Sequence, residues 1–313
     1  MYGLKHRYSA SLLLVSLLFA APSSASDASA PSFEQRVEAI LDKLSQPVQS
    51  STTSSNTVTI PSANVQYRSC QNYPYHNTAN ASFSHNILTN DIKQGLKQGL
   101  TCLSGNSSAG RLHPYHEHQA LKLVRLLESQ QTKTVQCVED EIFAYAVANT
   151  PFDPHKKPHP QDKFTAGLPY PAILVDTFRL SGAISNKYDE STYRNFYRLD
   201  DEQIEIIRTG KPLQLEGMHR YQNCAGLMFH EMIHWLGHEH SSIYPDVTDL
   251  YETCCFGGSD FVADKTKNQA LKQQACHILK DDELWSASKY RQMRLWKFKG
   301  YDQLKQAMRQ ASY

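Results

Sequence analysis

Apolar positions along this chain recur at two spacings, and the helical one dominates. Residues 33–44 place Val37, Ile40, Leu41 and Leu44 three and four apart, which predicts an amphipathic helix. The same spacing runs over 87–103 despite Gly95 and Gly99, over 117–130, and over 138–148 through Ile142, Phe143, Tyr145, Ala146 and Val147. Residues 200–209 read as a short helix closed by Gly210 and Pro212, and 261–279, 282–296 and 301–311 continue in helical register. The clearest strand is 172–180, β-rich and bounded by proline and Gly182. These patterns predict an α+β, helix-rich chain.

The N-terminus departs from this pattern. Lys5, His6 and Arg7 precede an apolar run over 11–20, and small residues follow to Ala25. This is the layout of a signal peptide cleaved after Ala25, so a secreted or periplasmic protein is expected. No second long apolar run occurs, so no membrane span is expected. Residues 26–62 are rich in Ser and Thr and read as a linker or pro-segment around the helix at 33–44; 63–134 read as an N-terminal subdomain and 135–313 as the main domain.

Export changes the meaning of the seven cysteines, which become disulfide candidates. An odd number leaves at least one outside any internal bridge, and the adjacent Cys254 and Cys255 should take separate partners. Cys224 and that pair flank the stretch 225–240, so bridges there would clamp it. Net charge is +1, which gives no global field pointing to nucleic acid. The basic residues of the last two helical patterns, from Lys289 to Arg309, read as a solvated face. His113, His116 and His118 form a local cluster at the start of a helix, read as solvated, with a second metal site as the sharper alternative.

The chemistry sits in one stretch. After the apolar lead-in Ala225, Gly226, Leu227, Met228 and Phe229 comes His230-Glu231-Met232-Ile233-His234, then Gly237 and His240. Residues four apart lie above one another on a helix, so His230 and His234 can offer two imidazole nitrogens to one Zn2+ ion. Glu231 is turned aside and suits a general base acting on water. A catalytic zinc needs a third protein ligand and an open position. Gly237 can take positive φ and turn the chain so that His240 reaches the metal. Asp249, Asp246 and Glu252 are alternative third ligands of suitable chemistry, and Tyr251 or His219 could steady an oxyanion.

The spelling His230, Glu231, His234, Gly237, His240 resembles the signature of the metzincin clan of zincin metallopeptidases. That resemblance implies a zincin-like catalytic domain with a small mixed sheet, a central metal-binding helix and C-terminal helices, three histidine ligands, glutamate as base, and an edge strand that aligns an extended protein or peptide substrate, for which 172–180 would suit. The tight methionine turn of that clan has no counterpart, since the first methionine after His240 is Met293, inside a helical pattern. Thermolysin-like enzymes draw the third ligand from a later glutamate and aspzincins from an aspartate, so Glu252 and Asp249 stay open. The expected function is an exported zinc metallopeptidase; the alternatives are a zinc amidase or deacetylase and a non-catalytic protein with a structural metal.

Overall fold

In the computed structural model the described residues are 30–50, 57–71, 73, 85–105, 110–139, 142, 145–152, 162–180, 183–184, 189–195, 199–210, 213–214, 224–240, 245–257, 265–286 and 301–311. The segment proposed as a signal peptide, His219, Met293 and most of the basic residues near the C-terminus lie outside them. No helix among the described residues is long and apolar enough to cross a membrane.

Helix α1 (Phe33–Leu44) buries Val37, Ile40, Leu41 and Leu44, the face its spacing predicts. Strands β1 (Gln49–Ser50), β2 (Thr57–Ile60) and β3 (Val65–Arg68) follow. β2 and β3 alternate buried and half-buried positions and are joined at Asn64, whose φ of 53° closes the turn. Helices α2 (His85–Leu103) and α3 (Pro114–Glu128) then lead to β4 (Lys133–Val138), β5 (Ala146–Ala148), α4 (Asp162–Thr165) and β6 (Ala172–Asp176). Next come α5 (Thr177–Leu180), β7 (Ala183–Ile184), α6 (Glu190–Asn195), α7 (Asp201–Arg208) and β8 (Leu213–Gln214). The chain continues through α8 (Cys224–His234), α9 (Val247–Phe256), α10 (Lys265–Lys280) and α11 (Asp282–Ser286) to a last helix, Tyr301–Ala311. The fold is α+β and helix-rich, as the patterning predicts.

The main sheet has strand order β1-β2-β3-β4-β6-β5, with β3, β4 and β6 parallel and β5 antiparallel on β6. This corrects two expectations. The strand at 172–180 ends at Asp176, whose carboxylate accepts from the backbone of Phe178 and Arg179 and so starts the helical turn of α5. It is also an interior strand, buried at every position, not the edge. The edge beside it is β5, within residues expected to be helical. A short, wholly buried run such as Ala146–Ala148 has no periodicity to separate strand from helix.

Within the stretch expected as a linker or pro-segment, α1 and β2 contribute to the core. α1 packs in the main hydrophobic cluster, and Arg36 Nε donates to Glu128 Oε1 of α3 at 2.8 Å. The boundary expected between residues 134 and 135 falls inside β4, which pairs with strands on both sides of it. Residues 33–313 form one unit.

α2 lies against α8 at unusually close range. A Cβ added at Gly95 would sit 2.4 Å from the carbonyl oxygen of Ala225, and one at Gly99 would sit 2.3 Å from the Phe229 ring. These glycines interrupt a helix pattern because only a bare backbone lets α8 approach. Disulfides then fix the helices: Cys102 of α2 to Cys255 of α9, and Cys254 of α9 to Cys276 of α10. A third joins Cys70 to Cys137 of β4. Cys224, at the start of α8, is outside the bridges and lies beside the buried Tyr73 hydroxyl, so the clamp on α8 comes through α2 and α9.

Candidate metal centre

α8 is apolar on nearly all sides and buried from Gly226 to His234, so its polar residues are present for a reason other than solvation. His230, Glu231 and His234 are 6%, 3% and 4% exposed. After His234 the helix closes in a turn through Trp235 and Leu236, and Gly237 has φ 85° with open space where a Cβ would be. The glycine is required by its backbone angle, as expected. Trp235 anchors the turn: its indole Nε1 donates to Ala172 O at 3.1 Å, and its carbonyl accepts from the Tyr170 hydroxyl at 2.5 Å.

The turn returns His240 to α8. His230 Nε2 and His240 Nε2 are 3.3 Å apart, and the His234 and His240 rings are 4.6 Å apart. Ligand atoms of His230, His234 and His240 lie within 4.8 Å of one another, a group able to hold a metal ion. Each ring is gripped from behind through Nδ1. His230 Nδ1 is 3.0 Å from Glu252 Oε2, His240 Nδ1 is 2.8 Å from Asp246 Oδ2, and His234 Nδ1 is 2.5 Å from the carbonyl oxygen of His238. That leaves Nε2 of each ring as its remaining donor.

One pair of donors has the spacing of tetrahedral coordination. Two nitrogens bound at about 2.0–2.1 Å with tetrahedral angles sit about 3.3 Å apart, which is the His230–His240 spacing. Imidazoles held by carboxylates and a backbone carbonyl are also the usual support for such ligands.

The three carboxylates weighed as alternative ligands are all nearby, in different roles. Glu252 and Asp246 stand behind His230 and His240. Asp249 Oδ2 accepts from the Asp246 backbone N–H at 3.0 Å, while Asp246 Oδ1 accepts from the N–H groups of Thr248 and Asp249, a reciprocal cap at the start of α9. His240, Asp246 and Asp249 also fall within ligand distance of one another. Tyr251 is fully buried, and its hydroxyl is 2.7 Å from His116 Nδ1, inside the core. His116 is therefore not on a solvated surface, as its surroundings in sequence had suggested. His113 instead caps α3, accepting from Tyr115 N–H at 3.1 Å.

Burial and charge shape the site together. Burial opposes a charge on His230, but Glu252, Glu231 and Asp249 outweigh it and raise its pKa to about 10. The same carboxylates make the centre favourable for a cation. Burial raises the Glu231 carboxyl, although His230, His240 and the backbone N–H of Ala148 work the other way. Among the described residues, Glu231 Oε2 has no hydrogen-bond partner. The link to Ala148 places this glutamate beside edge strand β5. Just beyond it, Thr150 Oγ1 is 3.1 Å from Glu239 Oε1, and Phe152 is 91% exposed.

Neither protein-family models, nor curated proteins, nor solved structures match this chain. The reading of the site rests on its own residues. Sequence reasoning missed α9 and gave Asp246 and Glu252 as alternative ligands, where the structure sets them behind the histidines. The signal was present: Asp246 followed three positions later by Asp249, before Leu250 and Tyr251, is a helix start in composition.

Proposed function

We propose that this chain is an exported, zinc-dependent metallopeptidase. The observation that carries the reading is the convergence of His230 Nε2 and His240 Nε2 at 3.3 Å, with every Nδ1 of the three histidines held from behind. Zinc held there supplies Lewis-acid polarisation of a carbonyl and a water acidified toward neutrality. His230, His234 and His240 hold the ion, and Glu252, Asp246 and the His238 carbonyl keep the rings in one orientation. Glu231 takes the proton of the attacking water at its uncommitted Oε2 and returns it to the leaving amine. β5 is the end strand of the main sheet among the described residues, and beside it an extended peptide can add as a further strand past Glu231.

The test is Glu231→Gln, which keeps shape and removes the base. Equal zinc content with casein hydrolysis reduced by at least about a hundredfold is expected. Full activity in that variant, or a parent protein that binds no zinc, would overturn the proposal. Three disulfides in the fold are consistent with an oxidising compartment.

A further inference from the structure

Helix α3 belongs to the N-terminal half of the chain and contributes no ligand, yet two of its buried polar residues reach the metal centre from outside. His116 and Gln119 are one turn apart on its inner face and are 0% and 2% exposed. Polar side chains so deeply buried need a purpose. His116 Nδ1 is 2.7 Å from the Tyr251 hydroxyl, and its ring packs edge-on against Tyr251 and Trp285. Gln119 Oε1 is 3.3 Å from His238 Nε2.

Each contact is a single step from a group that orients a ligand histidine. Tyr251 precedes Glu252 on α9, and successive helical residues point about 100° apart. Seating Tyr251 against α3 therefore fixes the rotation of α9 that aims Glu252 at His230. On the other arm, the His238 side chain is fixed by Gln119 while its backbone carbonyl takes His234 Nδ1. The His238 and Tyr251 rings are themselves 6.5 Å apart and nearly perpendicular, so the two arms share one wall.

We propose that His116 and Gln119 are positioning residues of the metal centre, setting the orientation of His230 through Tyr251 and Glu252 and that of His234 through His238. This rests on the metal centre described above and not on peptide hydrolysis. Residues supporting metal ligands from behind typically change metal affinity 10–100-fold when removed. One step further out, the low end of that range applies.

The experiment measures zinc affinity of the full, disulfide-bonded chain by chelator competition for the parent, Gln119→Leu and Tyr251→Phe. Cobalt substitution gives the visible spectrum of the centre as a second readout, and thermal unfolding checks the fold. About tenfold weaker zinc binding and shifted cobalt bands, with unfolding temperature kept in at least one variant, are expected. Gln119→Glu, which keeps the acceptor oxygen, should restore affinity to near the parent value. If Gln119→Leu does not fold, Tyr251→Phe, which loses one oxygen only, decides alone. Affinity within twofold of the parent and unchanged cobalt bands in a folded variant would overturn the proposal. A parent that binds no zinc would overturn it together with the metal centre. A parent that binds zinc and cleaves no peptide would refute the peptidase reading, and the affinity comparison would still decide this one.

Discussion

Glu252 Oε2 lies 3.0 Å from His230 Nδ1, so the first histidine of the motif is aimed by a carboxylate on the following helix. The carboxylate at that distance favours a proton on Nδ1, which leaves Nε2 facing inward, and its negative charge makes Nε2 a stronger donor.

Removing that carboxylate should therefore weaken metal binding while leaving all three ligands in place. Glu252→Gln is expected to lower zinc affinity by about 10–100-fold. Chelator competition on the purified protein measures it. If Glu252 were itself the third ligand, its loss would be far more damaging than His240→Ala, and comparing the two variants decides the point.

The close crossing of α2 and α8 makes a second expectation. Alanine is favoured over glycine inside a helix by about 1 kcal/mol. At Gly95 the added methyl would meet the Ala225 backbone oxygen at 2.4 Å, and backbone cannot swing aside. Overpacking typically costs about 1–3 kcal/mol, so the steric term wins. Gly95→Ala should lower stability and displace α8; Gly99→Ala, which meets the Phe229 side chain, should be milder. Thermal unfolding of both variants gives the ranking, and a stabilised Gly95→Ala would contradict the packing.

The N-terminal segment is predicted to be indispensable to the fold. Leu44 of α1 is 2% exposed, within the main core. Leu44→Ala should cost about 2–5 kcal/mol. A pro-segment that only covered the finished domain could be removed after residue 48 without harm. Denaturant unfolding of the substituted and the truncated chain distinguishes the two cases.

A pH effect follows from Lys133, which is 1% exposed and donates to the carbonyls of Leu127 at 3.0 Å and Ser129 at 2.6 Å. Burial lowers its pKa from 10.5 to about 8, assisted by the charge of Lys43. The folded state therefore releases this proton before the unfolded state does. The stabilising contribution is fully present above pH about 10.5 and is lost as pH falls through about 8. Relative to Lys133→Met, the parent should gain stability between pH 7 and pH 9.5. A constant difference across that range would contradict it.

The helices α1, α2 and α3 and the centre of α8 were legible because their apolar spacing and their function coincide. Val37, Ile40, Leu41 and Leu44 face inward as their period requires. Two kinds of feature were hidden. Ala146–Ala148 is buried throughout, and burial on both faces erases the alternation that would mark a strand. α9 was hidden because it is almost wholly buried from Val247 to Cys255, so it lacks a polar face to set a helical period. His230, Glu231 and His234 could be found from spacing alone. The roles of Glu252, Asp246 and Gln119 depend on contacts between separate helices, which local spacing does not encode.

The adjacent cysteines of α9 have a consequence for how this chain matures. Cys254 closes a separation of 22 residues to Cys276, and Cys255 one of 153 to Cys102. Closing the shorter loop costs less entropy, so the bridge to α10 has the advantage during oxidation. Its two possible partners on α9 differ by one position and thus by about 100° around the helix. Joining Cys276 to Cys255 instead would roll α9 and carry Glu252 away from His230. An isomer with the wrong bridge would keep all three histidines and lose the carboxylate behind His230, so a weakened affinity at the proposed metal site would report the wrong pairing.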